Sequence, residues 1–202
     1  MPASWFNLSW LRVTADLLRV VSLVSIVVAG MAIGLGDGIR FVVLTGVLLA
    51  VRIFGMVALF DVLLCLVTIV ATWAAVLDWY VSIVWMDEVV HLLAIGVLAA
   101  ACYLVLSRSG ALPSLSVLAR RRHRLPVAVV ITALGFSIAC LWEFLEWIGE
   151  QLSPQTIHVG YADTISDLAL GGSGAVVAGL LVALCAPALA GAQERAEVRQ
   201  SS

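Results

Sequence analysis

The sequence predicts an all-α fold, a polytopic membrane helix bundle of about six transmembrane helices. The chain has 202 residues, of which 63% are hydrophobic and only 12% are charged, and its mean hydropathy is +1.12. A soluble domain of this length cannot bury so much apolar surface. Several segments also supply the roughly 20 apolar residues that a helix needs to cross the hydrocarbon core. We therefore expect a multi-pass protein surrounded by a lipid bilayer.

Six spans are predicted from the apolar runs. They cover 17–36, 40–56, 58–77, 89–107, 126–149 and 168–189. The second and third are divided near Gly55, because Arg52 marks a helix end and a single helix over that nearly continuous apolar run would be too long for a bilayer. Asp61, close to this division, is interpreted as an interfacial charge. Residues 1–192 then form a single transmembrane domain, followed by a short polar tail at 193–202.

Arginine predicts the orientation, because the chain contains no lysine. With six spans, ten of the 11 arginines fall on one side and only Arg40 lies on the other. The positive-inside rule makes the arginine-rich side cytoplasmic, together with both termini. The run RRRHR at 120–124 is interpreted as part of this topology signal, not as a nucleic-acid-binding patch. The arginine-only, Ala-, Val- and Leu-rich usage favours a GC-rich bacterium, for which the predicted location is the cytoplasmic (inner) membrane.

Acidic residues concentrate on the opposite, outer side. Within MDEVVH (86–91), LWEFLEWIGEQL (141–152) and YADTISD (161–167), ionisable residues recur at spacings of three and four, which place them on one face of each helix. Such groups are costly inside a membrane and normally face the protein interior or a wet cavity. Three carboxylate-bearing helix ends at one depth are therefore expected to converge. The group comprises Asp87, Glu88, His91, Glu143, Glu146, Glu150, Asp163 and Asp167.

Packed close together, these carboxylates would repel one another, and either proton uptake or, more directly, a bound divalent cation would relieve that repulsion. Asp, Glu and neutral His suit Zn, Mn or Fe as ligands, and carboxylates with water suit Mg. The predicted general base is Glu146 or Asp163. The predicted metal ligands are Asp87, His91, Glu143, Glu146 and Asp167.

Some of these residues also fit ordinary roles. Glu150 is expected to be a solvated residue of the last helix turn, and for Glu88 a position facing water fits as well as a place in the site. Asp163, followed by Thr164, fits a helix N-cap, and His158 lies in a polar loop where solvation is expected. These alternatives do not extend to Glu143 and Asp167, which lie deepest in apolar sequence.

Two further patterns concern architecture. Four tryptophans cluster at the predicted outer boundary and are interpreted as an aromatic belt: Trp79, Trp85, Trp142 and Trp147. Gly171, Ala175 and Gly179 form a run of small residues at every fourth position, which favours close packing of the last helix against its neighbours.

The motifs MDEVVH, LWEFLEW and YADTISD, in this order, resemble the YjdF-type family of predicted bacterial inner-membrane proteins. The chain is more distantly similar to VanZ-like membrane proteins. In the YjdF-type family the pattern runs D-K-x-x-H, W-E-x-x-E-W and D-T-x-x-D. Glu88 stands where that family usually has lysine, which makes Glu88 a poor candidate ligand. The resemblance is strongest over 58–190 and implies a membrane fold and a site, but no reaction.

Two classes of function are compatible with such a site. The first is a metal-dependent hydrolase or transferase that acts at the outer leaflet on a lipid or lipid-linked phosphate. A di-iron oxidase belongs to the same class, but those sites usually carry two Glu-x-x-His motifs and this chain has one, at 88–91. The second class is a proton- or metal-coupled carrier, or a non-catalytic membrane subunit with a structural polar cluster. Carriers typically have broken helices or repeated halves, neither of which is evident, so an enzyme is favoured.

Overall fold

The fold consists of α-helices in the part of the chain that the computed structural model describes. That part comprises residues 9–114, 117, 124–152 and 160–201, with side chains as far as residue 191. Its helices are α1 (Ser9–Ala32), α2 (Leu35–Ile53), α3 (Ala58–Val76), α4 (Trp79–Ser82), α5 (Met86–Arg108), α6 (Arg124–Leu152) and α7 (Tyr161–Ser201). No strand occurs among these residues, so the predicted all-α class is confirmed. Residues 120–123 of the arginine-rich run lie outside the described ranges.

Five helices are long and apolar enough to cross a membrane by length and composition. They are α1, α3, α5, the Arg124–Gln151 part of α6 and the Tyr161–Gly191 part of α7. The second predicted span corresponds to α2, whose 19 residues include the charged Asp37, Arg40 and Arg52. The last helix continues through the predicted polar tail as far as Ser201.

The helices α1 and α2 form an antiparallel hairpin. The hydroxyl oxygens of Ser22 and Thr45 are 2.6 Å apart. Nearer the turn, a Cβ atom on Gly38 would lie only 2.9 Å from the Cα of Gly30, so the two backbones can approach this closely because Gly38 has no side chain. At about 1.5 Å per residue, α2 is about 28 Å long, close to the thickness of the hydrocarbon core. The length of α2 is therefore compatible with the second predicted span, which stays a prediction.

The division between α2 and α3 depends on Gly55. Its φ of +68° is in the left-handed region that favours glycine. A Cβ atom there would also lie 2.6 Å from Nη1 of Arg108, which donates a 2.8 Å hydrogen bond to the carbonyl of Phe54. The predicted break near Gly55 is therefore confirmed, with α2 ending at Ile53 and α3 beginning at Ala58.

The helix α5 lies at the centre of the bundle and contacts α3, α6 and α7. Small residues bring α7 close to its neighbours. The backbone of Gly174 packs against the carbonyl of Leu92 with no room for a Cβ atom, and a Cβ on Gly179 would lie 2.8 Å from the carbonyl oxygen of Ala128. A Cβ atom on Gly171 would lie 3.0 Å from the side chain of Ile95, and Ala175 is fully buried, so the predicted packing face of α7 is confirmed.

Asp61 is a buried charge, so its interpretation as an interfacial residue was wrong. It is only 4% exposed, and it forms an ion pair with Arg19, which is also 4% exposed. Arg19 donates a further hydrogen bond of 3.1 Å to the carbonyl of Leu48. Asp16 joins this network, with oxygen–nitrogen distances of 3.3 Å to Arg19 and 2.9 Å to Arg52. Three helices are thereby connected at the end of the bundle opposite to the predicted site.

Candidate metal centre

The predicted site residues lie together at one end of the bundle. The helices α5 and α7 begin at this end, and α6 ends there. Each helix contributes two ionisable side chains three or four residues apart, so both members of a pair lie on the same helix face. The pairs are Asp87 and His91 on α5, Glu143 and Glu146 on α6, and Asp163 and Asp167 on α7.

Four of these side chains form a deep group, called here the inner set: His91, Glu143, Glu146 and Asp167. Each offers one candidate ligand atom, and these atoms all lie within 4.8 Å of one another. Nε2 of His91 is 3.9 Å from Oε1 of Glu146, and Nδ1 is 4.0 Å from Oε1 of Glu143. A cation bound tetrahedrally at about 2.1 Å holds its ligand atoms about 3.4 Å apart. The inner set therefore fits around one cation after a contraction of at most about 1.4 Å between ligand atoms.

His91 is the most informative member of the inner set. It is only 2% exposed, and neither ring nitrogen has a hydrogen-bond partner in the described part of the chain. Its ring meets that of Trp142 edge to face, with centroids 5.7 Å apart. Buried polar atoms are nearly always paired in proteins. A neutral imidazole in this position is suited to ligate a cation through one nitrogen and to donate to a carboxylate through the other.

The two glutamates of α6 are held differently. Glu143 is 7% exposed, and the side chain of Thr164 hydrogen-bonds to its carboxylate. Oε1 of Glu143 has no hydrogen-bond partner among the described residues. The side chain of Glu146 is 32% exposed, and its Oε1 accepts a 2.8 Å hydrogen bond from Nε1 of Trp142.

Trp142 is a site residue that the sequence analysis missed. It is half-buried and contacts both Glu146 and His91, so its indole takes part in the site, whereas the sequence analysis assigned it only to the aromatic belt. The spacing of four between Trp142 and Glu146 was the available signal, because such residues share a helix face. By contrast, Trp85 and Trp147 are 60% and 54% exposed, as residues of a membrane-facing belt would be.

A second group, called here the outer set, comprises Asp87, Asp163 and Asp167. One oxygen from each lies within 4.8 Å of the others. Asp167 belongs to both sets and is only 2% exposed. The side chain of Asp87 is 32% exposed, with Oδ1 3.5 Å from Nε2 of His91, and Asp163 is exposed. Exposure thus rises from Asp167 outward, which opens the centre to the surface at this end of the bundle.

The structure brings together all five predicted ligands and both candidate bases, whose chemical roles stay predictions. Asp163 is not an N-cap, because α7 already begins at Tyr161. Glu88 is exposed, and both Glu88 and Glu150 lie outside the two sets. His158 lies outside the described residues.

The centre is rich in negative charge. Its five carboxylates have no arginine within ion-pair distance among the described residues. Arg40, the one arginine predicted on this side, pairs with Asp37 at 3.3 Å. Like charges this close repel one another strongly in a poorly solvated site. At the edge of the centre, burial raises the pKa of Tyr80, and the carboxylates of Asp87 and Glu146 add to that effect.

Comparison with known proteins gives a family match. The sequence model of the family described as Predicted membrane protein (DUF2238) matches residues 11–187. This is the YjdF-type family, so the resemblance drawn from the three motifs is confirmed. No curated protein and no solved structure matches the chain. The matched range includes every residue of the inner and outer sets.

Proposed function

The chain belongs to the family described as Predicted membrane protein (DUF2238), and we propose that it is a membrane metalloenzyme. The inner set holds a divalent cation, and the enzyme is a hydrolase or transferase that acts on a lipid or lipid-linked phosphate at the membrane surface. The observation that carries this proposal is His91, a buried imidazole without hydrogen-bond partners in the described part of the chain, surrounded by carboxylates.

The ligand types favour a transition metal in the inner set. One imidazole and carboxylate oxygens are a donor set for Zn, Mn or Fe, whereas Mg favours oxygen and water alone. The buried His91, Glu143 and Asp167 supply the ligands that water reaches least. Without a cation, the desolvation and repulsion of these groups would have to be relieved by proton uptake.

The surface beside the centre supports a lipid substrate. On α6 the residues around the two glutamates are large and apolar, and many are exposed: Leu141, Phe144, Leu145, Trp147 and Ile148. The centre thus lies between a surface suited to acyl chains and the exposed Asp163 at the helix end. A molecule with an apolar tail and an anionic head group matches both features.

Glu146 is the proposed general base. It is the more accessible glutamate, and the Trp142 indole fixes its orientation through the 2.8 Å hydrogen bond. A carboxylate at this position can accept a proton from an attacking water molecule or hydroxyl group. A bound divalent cation supplies Lewis-acid polarisation of a phosphoryl oxygen and a more acidic water. His91, Glu143 and Asp167 would hold that cation at the inner end of the site.

The apolar core favours an enzyme over a carrier. Between the centre and the level of the Arg19–Asp61 pair, the buried residues of α5, α6 and α7 are apolar, among them Ile95, Ala99 and Ile131. A carrier needs a polar route or an opening between these two levels. The ionisable groups of the centre instead gather at one end.

Metal analysis tests the proposal directly. Purified full-length protein in lipid nanodiscs should retain a divalent metal, measured by inductively coupled plasma mass spectrometry. Glu143→Gln keeps the shape of the side chain but removes its charge, and should weaken metal binding at least about 10-fold. Glu88→Gln, an exposed change at the same end of the bundle, is the matched control and should bind as the wild type does. Unchanged affinity in Glu143→Gln would remove Glu143 from the ligand set.

Turnover tests the enzymatic half. Phosphate release or transfer from a panel of lipid phosphates should stop on chelation and return on metal reloading. Glu146→Gln should lose about 100-fold or more of the rate even when the site is saturated with metal, as expected for loss of a general base. Stoichiometric metal without turnover on any lipid phosphate would leave a metal site but overturn the enzyme.

A further inference from the structure

We propose that the outer set binds a second divalent cation, so that Asp167 is shared between two metal ions. This inference rests on the proposed metal centre and adds a distinct site to it. The ligands of the second cation are Asp87, Asp163 and Asp167. Asp167 also belongs to the inner set. Asp87 lies one helix turn before His91, and Asp163 lies one helix turn before Asp167.

The geometry of Asp167 carries the inference. Its carboxylate belongs to both sets, and in each set the candidate ligand atoms lie within 4.8 Å of one another. Asp167 is only 2% exposed. Among the described residues, its carboxylate accepts no hydrogen bond and has no cation within ion-pair distance. A carboxylate has two oxygens and about four lone-pair directions, so it can bridge two cations. Paired metal sites place their ions about 3.5–4 Å apart, a separation that one carboxylate spans.

Charge balance favours two cations over one. The two sets together contain five carboxylates and one histidine, and no arginine in the described ranges pairs with them. One divalent cation would leave three negative charges, whereas two leave a single one. An anionic substrate would be repelled by a centre with one cation and tolerated by a centre with two.

The two positions differ in chemistry and in access. The inner set contains an imidazole and lies deep, which favours a tightly held transition metal. The outer set offers only carboxylate oxygens and includes the exposed Asp163, which favours Mg²⁺ or Mn²⁺ with water completing the coordination. The outer cation should therefore exchange faster, and it lies on the open side, where a phosphate group would arrive. A phosphate monoester or diester that contacts both ions is the substrate class this pair would recognise.

Manganese titration of the full-length protein in nanodiscs tests this site. Mn²⁺ binding, counted by electron paramagnetic resonance and mass spectrometry, should reach about two ions per chain, with an exchange-coupled spectrum when both are bound. Asp163→Asn should reduce binding by about half, to one uncoupled ion, because Asp163 belongs to the outer set alone. Glu88→Gln should still bind both ions.

The outcomes separate this inference from the proposed function. A wild-type protein that binds a single ion lost in Glu143→Gln overturns the second site but leaves the metal centre intact. A wild type that binds no ion overturns both. Two uncoupled ions, or two ions retained in Asp163→Asn, would overturn the shared outer site. Asp87→Asn provides a second variant and should also retain one ion, so that a folding defect in either variant alone does not decide the result.

Discussion

Nε1 of Trp142 donates a 2.8 Å hydrogen bond to Oε1 of Glu146, one helix turn further along α6. The same indole lies edge to face against His91 on α5. A residue of apolar character thus fixes one carboxylate and covers the imidazole at once. This arrangement restricts the rotamers of Glu146 and excludes water from one side of the centre.

Replacement of Trp142 should reduce activity with little effect on metal content. Trp142→Phe keeps most of the aromatic contact but removes the N–H donor. A hydrogen bond to a charged group contributes about 1.5–3 kcal/mol, which corresponds to about a 10- to 100-fold loss in rate if it orients the base in the transition state. The measurement is turnover at saturating metal, beside metal stoichiometry. Trp147→Phe, a change at an exposed residue of the same helix, is the control and should change neither quantity.

Sequence spacing was sufficient to predict the ionisable residues of the centre. Residues four apart must share a helix face, and charged residues in apolar helices must face the interior. For this reason, the helix face that carries Asp87 and His91 was expected to meet the face of another helix that carries Asp163 and Asp167. The break at Gly55 was also predictable, because an arginine and a glycine interrupt an apolar run that is too long for one span.

Contacts between helices could not be predicted from the same patterns. They depend on the rotation of each helix about its axis and on the distance between helix backbones, which packing determines. The ion pair of Arg19 with Asp61 joins residues 42 positions apart, and neither residue's neighbours in sequence identify its partner. For the same reason, the sequence patterns could not predict that Asp167 belongs to both sets or that Trp142 points into the site.

Reporter fusions should test the orientation and the status of α2. The arginine distribution predicts that a reporter after Arg124 is cytoplasmic and that one within 153–160 is external. If α2 spans the membrane, reporters in the turn at 33–34 and in the break at 54–57 should lie on opposite sides. Reporters on the same side at these two positions would leave α2 as a non-spanning helix. A cytoplasmic result at 153–160 would place the metal centre at the inner face.

The buried ion pair should be sensitive to the loss of one partner. Arg19→Met leaves Asp61 buried without its cation, and removal of one partner of such a pair typically costs about 3–5 kcal/mol. The double variant Arg19→Met, Asp61→Leu should recover most of that loss, because it removes the remaining charge. Unfolding in mixed detergent micelles would measure the free energies. In contrast, Arg40→Ala removes a half-exposed pair with Asp37 and should change stability by about 0–1 kcal/mol.

An equal loss in the single and double variants of Arg19 would contradict this explanation. It would indicate that Arg19 acts mainly through its 3.1 Å hydrogen bond to the carbonyl of Leu48. The metal content of all three variants should match the wild type, because the pair lies at the opposite end of the bundle from the centre.

The close contact of α7 with α5 should couple packing to metal binding. The backbone of Gly174 lies against the carbonyl of Leu92 with no space for a Cβ atom, and Leu92 directly follows His91. Gly174→Ala must therefore move the two helices apart, at a cost of about 1–3 kcal/mol. That movement separates His91 on α5 from Asp167 on α7, so metal affinity should fall by about 10-fold. Thermal unfolding and metal titration of the same preparation would measure both effects.

Gly46→Ala is the matched control, since a Cβ atom on Gly46 meets no atom within 4 Å. This change should leave metal affinity unchanged and make α2 slightly more stable, because alanine favours a helix over glycine by about 1 kcal/mol. Wild-type metal affinity in a destabilised Gly174→Ala would show that the ligands of α5 and α7 tolerate helix separation. The contact between Gly174 and Leu92 would then stabilise the bundle without setting the geometry of the centre.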